Sequence, residues 1–342
     1  MALRTAPVNA IPAVRRTAAA LRCSPSLRLG LVLLGGVVLL SLLVPLLTPY
    51  APDEIIAGGR LLPPGPAHPF GTDALGRDLL SRVAHGGHLA ARMALGSVGL
   101  SLTVGLILGS LAGYYGGWAD QLLSRFMDGW LALPGVLVAL IIVARLGSSL
   151  ENLIVALGLM GIPAFYRLVR SSTLSVRRAP FVEAATAVGA SDRRIMWRHV
   201  FPNILSPVVV LVTIQAGTAL LTGSSLSFIG LGAQPPLPEW GAMLAAGRNY
   251  LDTAWWLAAF PGLAVTAAVV GLNLLGDGLR DVLDPQSGVA AGRGEEAPGE
   301  TEEERWPYRQ GAGRAMALQA EEARAATRAR WRAQARLGGD GD

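Results

Sequence analysis

The chain has 342 residues, 51% of them hydrophobic and only 15% charged, against roughly 25% charged in an ordinary soluble domain. With a net charge of +5 this is the composition of an integral membrane protein. All 29 basic residues are arginine, which excludes a phosphate-binding loop: the pattern G-x-x-x-x-G-K-[ST] needs a lysine to reach the β and γ phosphates.

A single cysteine, Cys23, rules out an internal disulfide. Four scattered histidines give no basis for a metal site. His85 and His88 have helical i,i+3 spacing in "HGGH", but no carboxylate or third ligand lies close in sequence, and they read as polar loop residues.

A bilayer core about 30 Å thick requires roughly 20 consecutive apolar residues per helix. Residues 1–28 carry Arg4, Arg15, Arg16, Arg22 and Arg28 without a carboxylate, and precede a first uncharged run over 29–52. That run exceeds the 7 to 15 residues of a secretory signal core, and "LLTPYAPDE" offers no cleavage site, so it reads as a retained anchor. Residues 51–91 hold four carboxylates and three arginines. In "FGTDALGRDLLSR", Asp73 with Arg77 and Asp78 with Arg82 have i,i+4 spacing, as pairs on a helix would.

A second run covers 93–119, followed by a turn around Asp120, Arg125 and Asp128. Residues 129–144 and 152–166 are shorter, and span only if Asp128, Arg145, Glu151 and Arg167 lie at the interfaces. The run 199–238 must include a loop, since it ends in "GAQPPLP", and 253–276 supplies the sixth span. Cytoplasmic flanks carry excess arginine. The N-terminus and residues 167–198, with seven arginines against Glu183 and Asp192, are therefore expected inside, whereas 51–91 and 237–252 are expected outside. Six crossings result, with both termini cytoplasmic and the basic charge serving topology, not nucleic acid.

The charged stretch "EAATAVGASDRRIMWRHVFPN" falls in the largest cytoplasmic loop, 167–202. Pro180 suits a helix first turn, and Phe181, Ala184, Ala185 and Val188 recur at i, i+3, i+4 and i+7 as one apolar face. Gly189 can end that helix in a left-handed conformation. Ser191 is placed to N-cap a second helix carrying Arg193, Arg194 and Arg198, and Pro202 marks the start of the fifth span. A helix, a tight turn and another helix would then lie across the cytoplasmic face, offering an alanine-rich surface for close docking.

Glu183-Ala184-Ala185, Gly189 and Pro202 at this spacing resemble the cytoplasmic "EAA" loop of ABC importer permeases, with Phe201 and His199 where leucine and isoleucine are usual. On this motif alone, a basic loop that only fixes topology is an equal alternative. Three more stretches in family order decide between them: "FGTDALGRDLLSR" at 70–82, "SLSFIGLGAQPPLPEWGAM" at 225–243 and "GLNLLGDGLRDVLDP" at 271–285 resemble the second-type membrane subunit of the dipeptide, oligopeptide and nickel permease family.

The resemblance implies an all-α, six-span type I importer permease fold over residues 29–285, and a role as half of a pathway for peptides or a related small solute. It implies as partners a homologous permease chain, two ATP-binding subunits and an external solute-binding protein, in a bacterial or archaeal membrane. This chain would be no enzyme and carry no cofactor, ATP residing on the partner subunits. Coupling to those subunits is expected through Glu183, Ala184, Ala185, Gly189, Asp192 and Arg193. Pathway residues and the substrate are not assigned.

An ion-coupled secondary transporter is the main alternative, but such proteins hold an ionisable group at mid-membrane and none of the six runs has one near its centre. Asn273 and Ser224, Ser225 and Ser227 are polar without being able to relay protons. A non-transport scaffold would differ by failing to co-purify with an ATPase. Residues 286–342 lie beyond the resemblance, and only Val289, Leu318 and Leu337 represent Leu, Ile, Val and Phe there, too few for a core. Disorder is expected, with an arginine-rich surface helix as the alternative.

Overall fold

A computed structural model of the chain describes residues 25–283. The expectations for most of residues 1–28, including Cys23, and for the tail 286–342 lie outside the described residues.

Long apolar runs without water must satisfy their backbone internally, and here they do so as helices. In chain order these are α1 (Pro25–Leu47), α2 (Leu79–Tyr115), α3 (Gly117–Leu131), α4 (Gly135–Leu146), α5 (Leu150–Arg177), α6 (Pro180–Ala187), α7 (Asp192–Ile195), α8 (Phe201–Phe228), α9 (Trp240–Gly247) and α10 (Trp256–Leu283). Among the described residues there is no strand, and only one isolated bridge, Thr72 to Asp78. Five helices are long and apolar enough to cross a bilayer: α1, α2, α5, α10 and the continuous stretch Asp192–Phe228. The sixth crossing expected over 129–144 is not a straight helix, because α3 and α4 meet at 85°. Pro134, which lacks an N–H and disfavours helix in the residue before it, sits at that break.

Helices α2 and α5 form the centre of the bundle, and a glycine ladder explains their closeness. A Cβ at Gly105 would lie 2.5 Å from Phe165 Cβ, one at Gly109 2.7 Å from Tyr166 O, and one at Gly113 2.7 Å from Arg170 O. Glycines four residues apart thus form the groove that receives α5, as small residues do between membrane helices. Helix α1 packs on α10 in the same way, with Gly30 and Gly278 against the opposite backbone.

Charged pairs mark the two ends of this centre. Arg92 on α2 meets Glu151 on α5 at 3.0 Å, and Arg167 on α5 meets Asp128 on α3 at 2.7 Å, with Arg170 paired to Asp120 one turn further on. Sixteen residues of α5 separate Glu151 from Arg167, about 24 Å at 1.5 Å per residue.

Beyond Arg92 the chain builds a cap from residues 48–91 and 229–255, and here two sequence expectations are corrected. Helix α2 begins at Leu79, so His85 and His88 lie within it and not in a loop; His85 Nδ1 is 2.8 Å from the Ser81 carbonyl. The carboxylates are not helix-surface pairs either. Asp73 precedes the helix, pairs with Arg77 at 2.6 Å and accepts from the backbone N–H of Leu75 and Arg77. Asp78 is the N-cap, accepting from Ser81 N at 2.8 Å while its other oxygen lies 2.8 Å from His68 Nδ1. Arg82 turns instead to Pro52 O at 2.7 Å. A cap residue serves the free N–H groups of the first turn, which outweighs an exposed ion pair worth a few tenths of a kcal/mol.

Trp240 and Trp256 lock the cap. Trp240 is 1% exposed and donates from Nε1 to Val83 O at 2.9 Å; Trp256 donates to Thr72 O at 3.2 Å; Phe70 stacks on Phe260. Glu239 caps α9, accepting from Gly241 N and Ala242 N at 3.0 and 2.8 Å, and its burial pushes the carboxyl pKa up against the opposing effect of those two bonds.

Candidate functional site

At the end of the bundle opposite the cap, eight residues form α6. A helix this short is not stable alone in water, so tertiary contacts must hold it. Val182 is the anchor, 3% exposed, and packs with Ile195, Val200, Ile204, Tyr114 and Val169 in one apolar cluster. Full burial of side chains such as Val182 and Ile195 contributes about 1.5–3 kcal/mol each.

The turn after α6 has a specific closure. Gly189 N–H donates to Thr186 O at 2.9 Å and Ala190 N–H to Ala185 O at 3.0 Å, the 5→2 and 6→1 bonds of a Schellman motif. Gly189 has φ +80°, and no atom lies within 4 Å of where a Cβ would stand. Glycine is required there by backbone conformation and not by crowding.

Two features differ from the sequence expectation. The chain does not form a separate second helix after Ser191: the Ser191 side chain makes no capping bond, and α7 runs through a π turn at Met196–Val200 straight into α8. Pro202 lies just after the π turn, where the regular i→i−4 bonding is already interrupted and a missing N–H is tolerated. The periodic face of α6 also divides. Ala185 is half buried against the Val182 cluster, whereas Phe181, Ala184 and Val188 are exposed. Val182, which the i, i+3, i+4, i+7 pattern omits, is the residue that points inward.

The other residues singled out in the sequence lie around this helix. Glu183 and Asp192 line an open cleft of 420 Å³ together with Tyr114, Tyr115, Arg177 and Thr186. Asp192 accepts a 2.9 Å hydrogen bond from Tyr114 Oη, and the Arg177 guanidinium stands 5.5 Å from the Tyr114 ring centroid. Arg193 is exposed, with no hydrogen bond or ion pair among the described residues. Glu183, Asp192 and Gly189 are thus brought to one end of the bundle, with Ala184 facing outward and Ala185 inward. Sequence reasoning missed Tyr114, Tyr115 and Arg177, because nothing local signals a contact between residues 78 positions apart.

Among the described residues no group of His, Cys, Asp or Glu could hold a metal ion. The site is a short, rigidly held helix with an exposed apolar face, extended by Trp197, which is 66% exposed and stacks on Phe201.

Residues 105–288 match the family described as binding-protein-dependent transport system inner membrane component. The chain is 43% identical over 257 residues to the dipeptide transport system permease protein DppC of Alkalihalophilus pseudofirmus, covering 75% of this chain and 84% of that one. It is 44% identical over 241 residues to the glutathione transport system permease protein GsiD of Pectobacterium atrosepticum, covering 70% and 80%. It is 42% identical over 268 residues to the probable D,D-dipeptide transport system permease protein DdpC of Escherichia coli, covering 78% and 90%. The chain therefore belongs to the inner membrane components of binding-protein-dependent transport systems: it is a multi-pass permease subunit of an ABC importer, working with ATP-binding and solute-binding partners.

Proposed function

We propose that this permease carries peptides or closely related small solutes, paired in the bacterial or archaeal inner membrane with a homologous permease chain to complete the pathway. Two ATP-binding subunits engage the complex from the cytoplasm, one of them at α6 of this chain. Both termini lie on that cytoplasmic side, and the cap faces the external binding protein.

The observation that carries this reading is the construction of α6. Ala184 and Val188 are exposed on the outward face and Phe181, 6.1 Å from the His199 ring, is still 46% exposed, while Val182 and the Gly189 turn fix the helix to the ends of α5 and α8. A push on α6 is transmitted to two membrane helices, because packed interiors deform little. The seven arginines between Arg167 and Arg198 support the cytoplasmic assignment. ATP-driven closure of the motor subunits would then tilt α5 and α8 between inward-open and outward-open arrangements, moving a ligand that binds the two states differently.

The test is ATP hydrolysis by the reconstituted complex, with and without loaded binding protein. Ala184 is exposed, so Ala184→Arg places a long side chain on the outward face of α6. Assembly with the second permease should survive, while stimulated hydrolysis and uptake are lost together. Stimulation at the unmodified level in Ala184→Arg would refute the docking role. Reading of the substrate class rests on the relatives named above, and the ligand bound by the cognate binding protein decides it.

A further inference from the structure

Midway along the bundle, α2, α5 and α8 leave a cleft of about 90 Å³ lined by Ser97, Ser101, Gly161, Gln215, Thr218 and Thr222, with no charged residue in its wall. We infer that this cleft is the chain's wall of the translocation pathway and that it holds uncharged amide groups of the passing solute. The inference rests on the permease reading above and deepens it by naming where and how the solute is touched.

Depth is the first observation. On α5 the cleft residues Leu157 to Gly161 lie six to ten residues from Glu151 and equally far from Arg167, about 9–15 Å from each charged end at 1.5 Å per residue. The cleft is therefore at the middle of the apolar zone, where an amide or hydroxyl facing lipid would cost several kcal/mol.

The second observation is Gln215, at the centre of α8. Its side-chain amide has two donors and an acceptor, yet it makes no hydrogen bond among the described residues and is only half buried. Thr218, one turn on, is exposed and donates to Ile214 O at 3.0 Å; Ser101 donates to Gly158 O at 2.8 Å. Their hydroxyl protons are thus used internally and their oxygens remain as acceptors. A Cβ at Gly161 would stand 2.4 Å from Ser101 Oγ and 3.5 Å from Gln215 Nε2, so this glycine keeps the cleft open.

Gln215 N–H groups for carbonyls, and the Gln215 carbonyl with hydroxyl oxygens for N–H groups, complement a peptide bond in either direction. The absence of charge in the wall means that charged termini and side chains are not gripped. Such a wall suits passage of amide-bearing solutes of varied side chain, which must leave as readily as they enter.

The experiment uses the full importer in proteoliposomes, with Cys23→Ser and one introduced cysteine. A small, charged, water-soluble methanethiosulfonate should react with Thr218→Cys at least tenfold faster than with Val209→Cys, which is exposed on the opposite side of α8. The Thr218→Cys rate should also differ at least tenfold between nucleotide-free and nucleotide-trapped complexes. Should Thr218→Cys fail to assemble, Thr222→Cys on the same wall replaces it. A cysteine no more reactive than Val209→Cys in both states, in a complex that still hydrolyses ATP on stimulation, would mean this face is sealed by the partner permease or by lipid, and would overturn the inference. Failure of the permease reading itself is distinct: the unmodified complex would show no stimulated hydrolysis.

Discussion

The two ends of the bundle are built on opposite plans. At the cap, polar groups turn inward: Thr72, Asp78, Arg82 and Glu239 are buried, and each meets a backbone or side-chain partner in the same chain. At the α6 end the apolar groups turn outward, with Val188 at 84%, Trp197 at 66% and Phe181 at 46% exposure. The cap satisfies these polar groups with its own loops and is held by two buried tryptophans, although Ile55, Leu75 and Trp255 remain exposed there. On the docking proposed above, the apolar surface at the α6 end is the surface that the motor subunit covers.

The largest effect expected from breaking this contrast is at the cap. Trp240→Ala removes a side chain 1% exposed together with its bond to Val83 O, and should lower stability by about 3–5 kcal/mol. Thermal unfolding of the purified complex in detergent measures it; a change in melting temperature within error would show that the cap is not held by this residue.

Next comes the inward side of α6. Ala185→Arg overpacks the contact with the Val182 cluster and should cost about 1–3 kcal/mol locally, loosening the helix. Limited proteolysis between α5 and α8 should then accelerate, whereas Ala184→Arg should leave the cleavage rate alone. Equal rates in the two variants would erase the inward and outward distinction.

Gly189→Val acts through the backbone. A β-branched residue at φ +80° costs roughly 1–2 kcal/mol, with no clash because the space is open. Stimulated ATP hydrolysis should fall severalfold while the melting temperature of the cap stays put. Unaltered coupling would show that the turn tolerates the change.

The smallest effect is a pH dependence. Burial raises the Glu239 carboxyl above its ordinary value of 4.5, so the folded chain holds this proton at pH values where the unfolded chain has released it. Its contribution to stability therefore declines as pH rises through 4.5 to the raised value. Glu239→Gln keeps one acceptor oxygen, for Gly241 or Ala242 but not both, so it lowers the melting temperature at every pH, yet it should flatten the further loss between acidic and neutral pH. An unchanged slope would place the dependence elsewhere.

Much of this molecule was legible along the chain, because a bilayer imposes rules that act on local sequence. An apolar run of sufficient length must be helical, whatever its neighbours, and the runs over 29–52, 93–119, 152–166, 199–238 and 253–276 each overlap such a helix, although every one of these helices begins or ends outside its run. The helix 180–187 and the turn at Gly189 were equally readable, since proline at the start and glycine at the end act within a few residues. Contacts between distant segments were not. By spacing Asp78 reads as an ion-pair partner of Arg82, and only the folded cap, with His68 beside it, shows that it is an N-cap. The i, i+3, i+4, i+7 pattern on α6 marked apolar positions but not their direction, and the cluster around Ile195 decides that Val182 and Ala185 turn in while Ala184 and Val188 turn out. Gln215 is an ordinary residue in an apolar run until α2 and α5 are set beside it. Helix formation is decided by neighbours in sequence and by the solvent; burial, exposure and the lining of a cleft are decided by which helices the glycines at 105, 109 and 113 allow to meet.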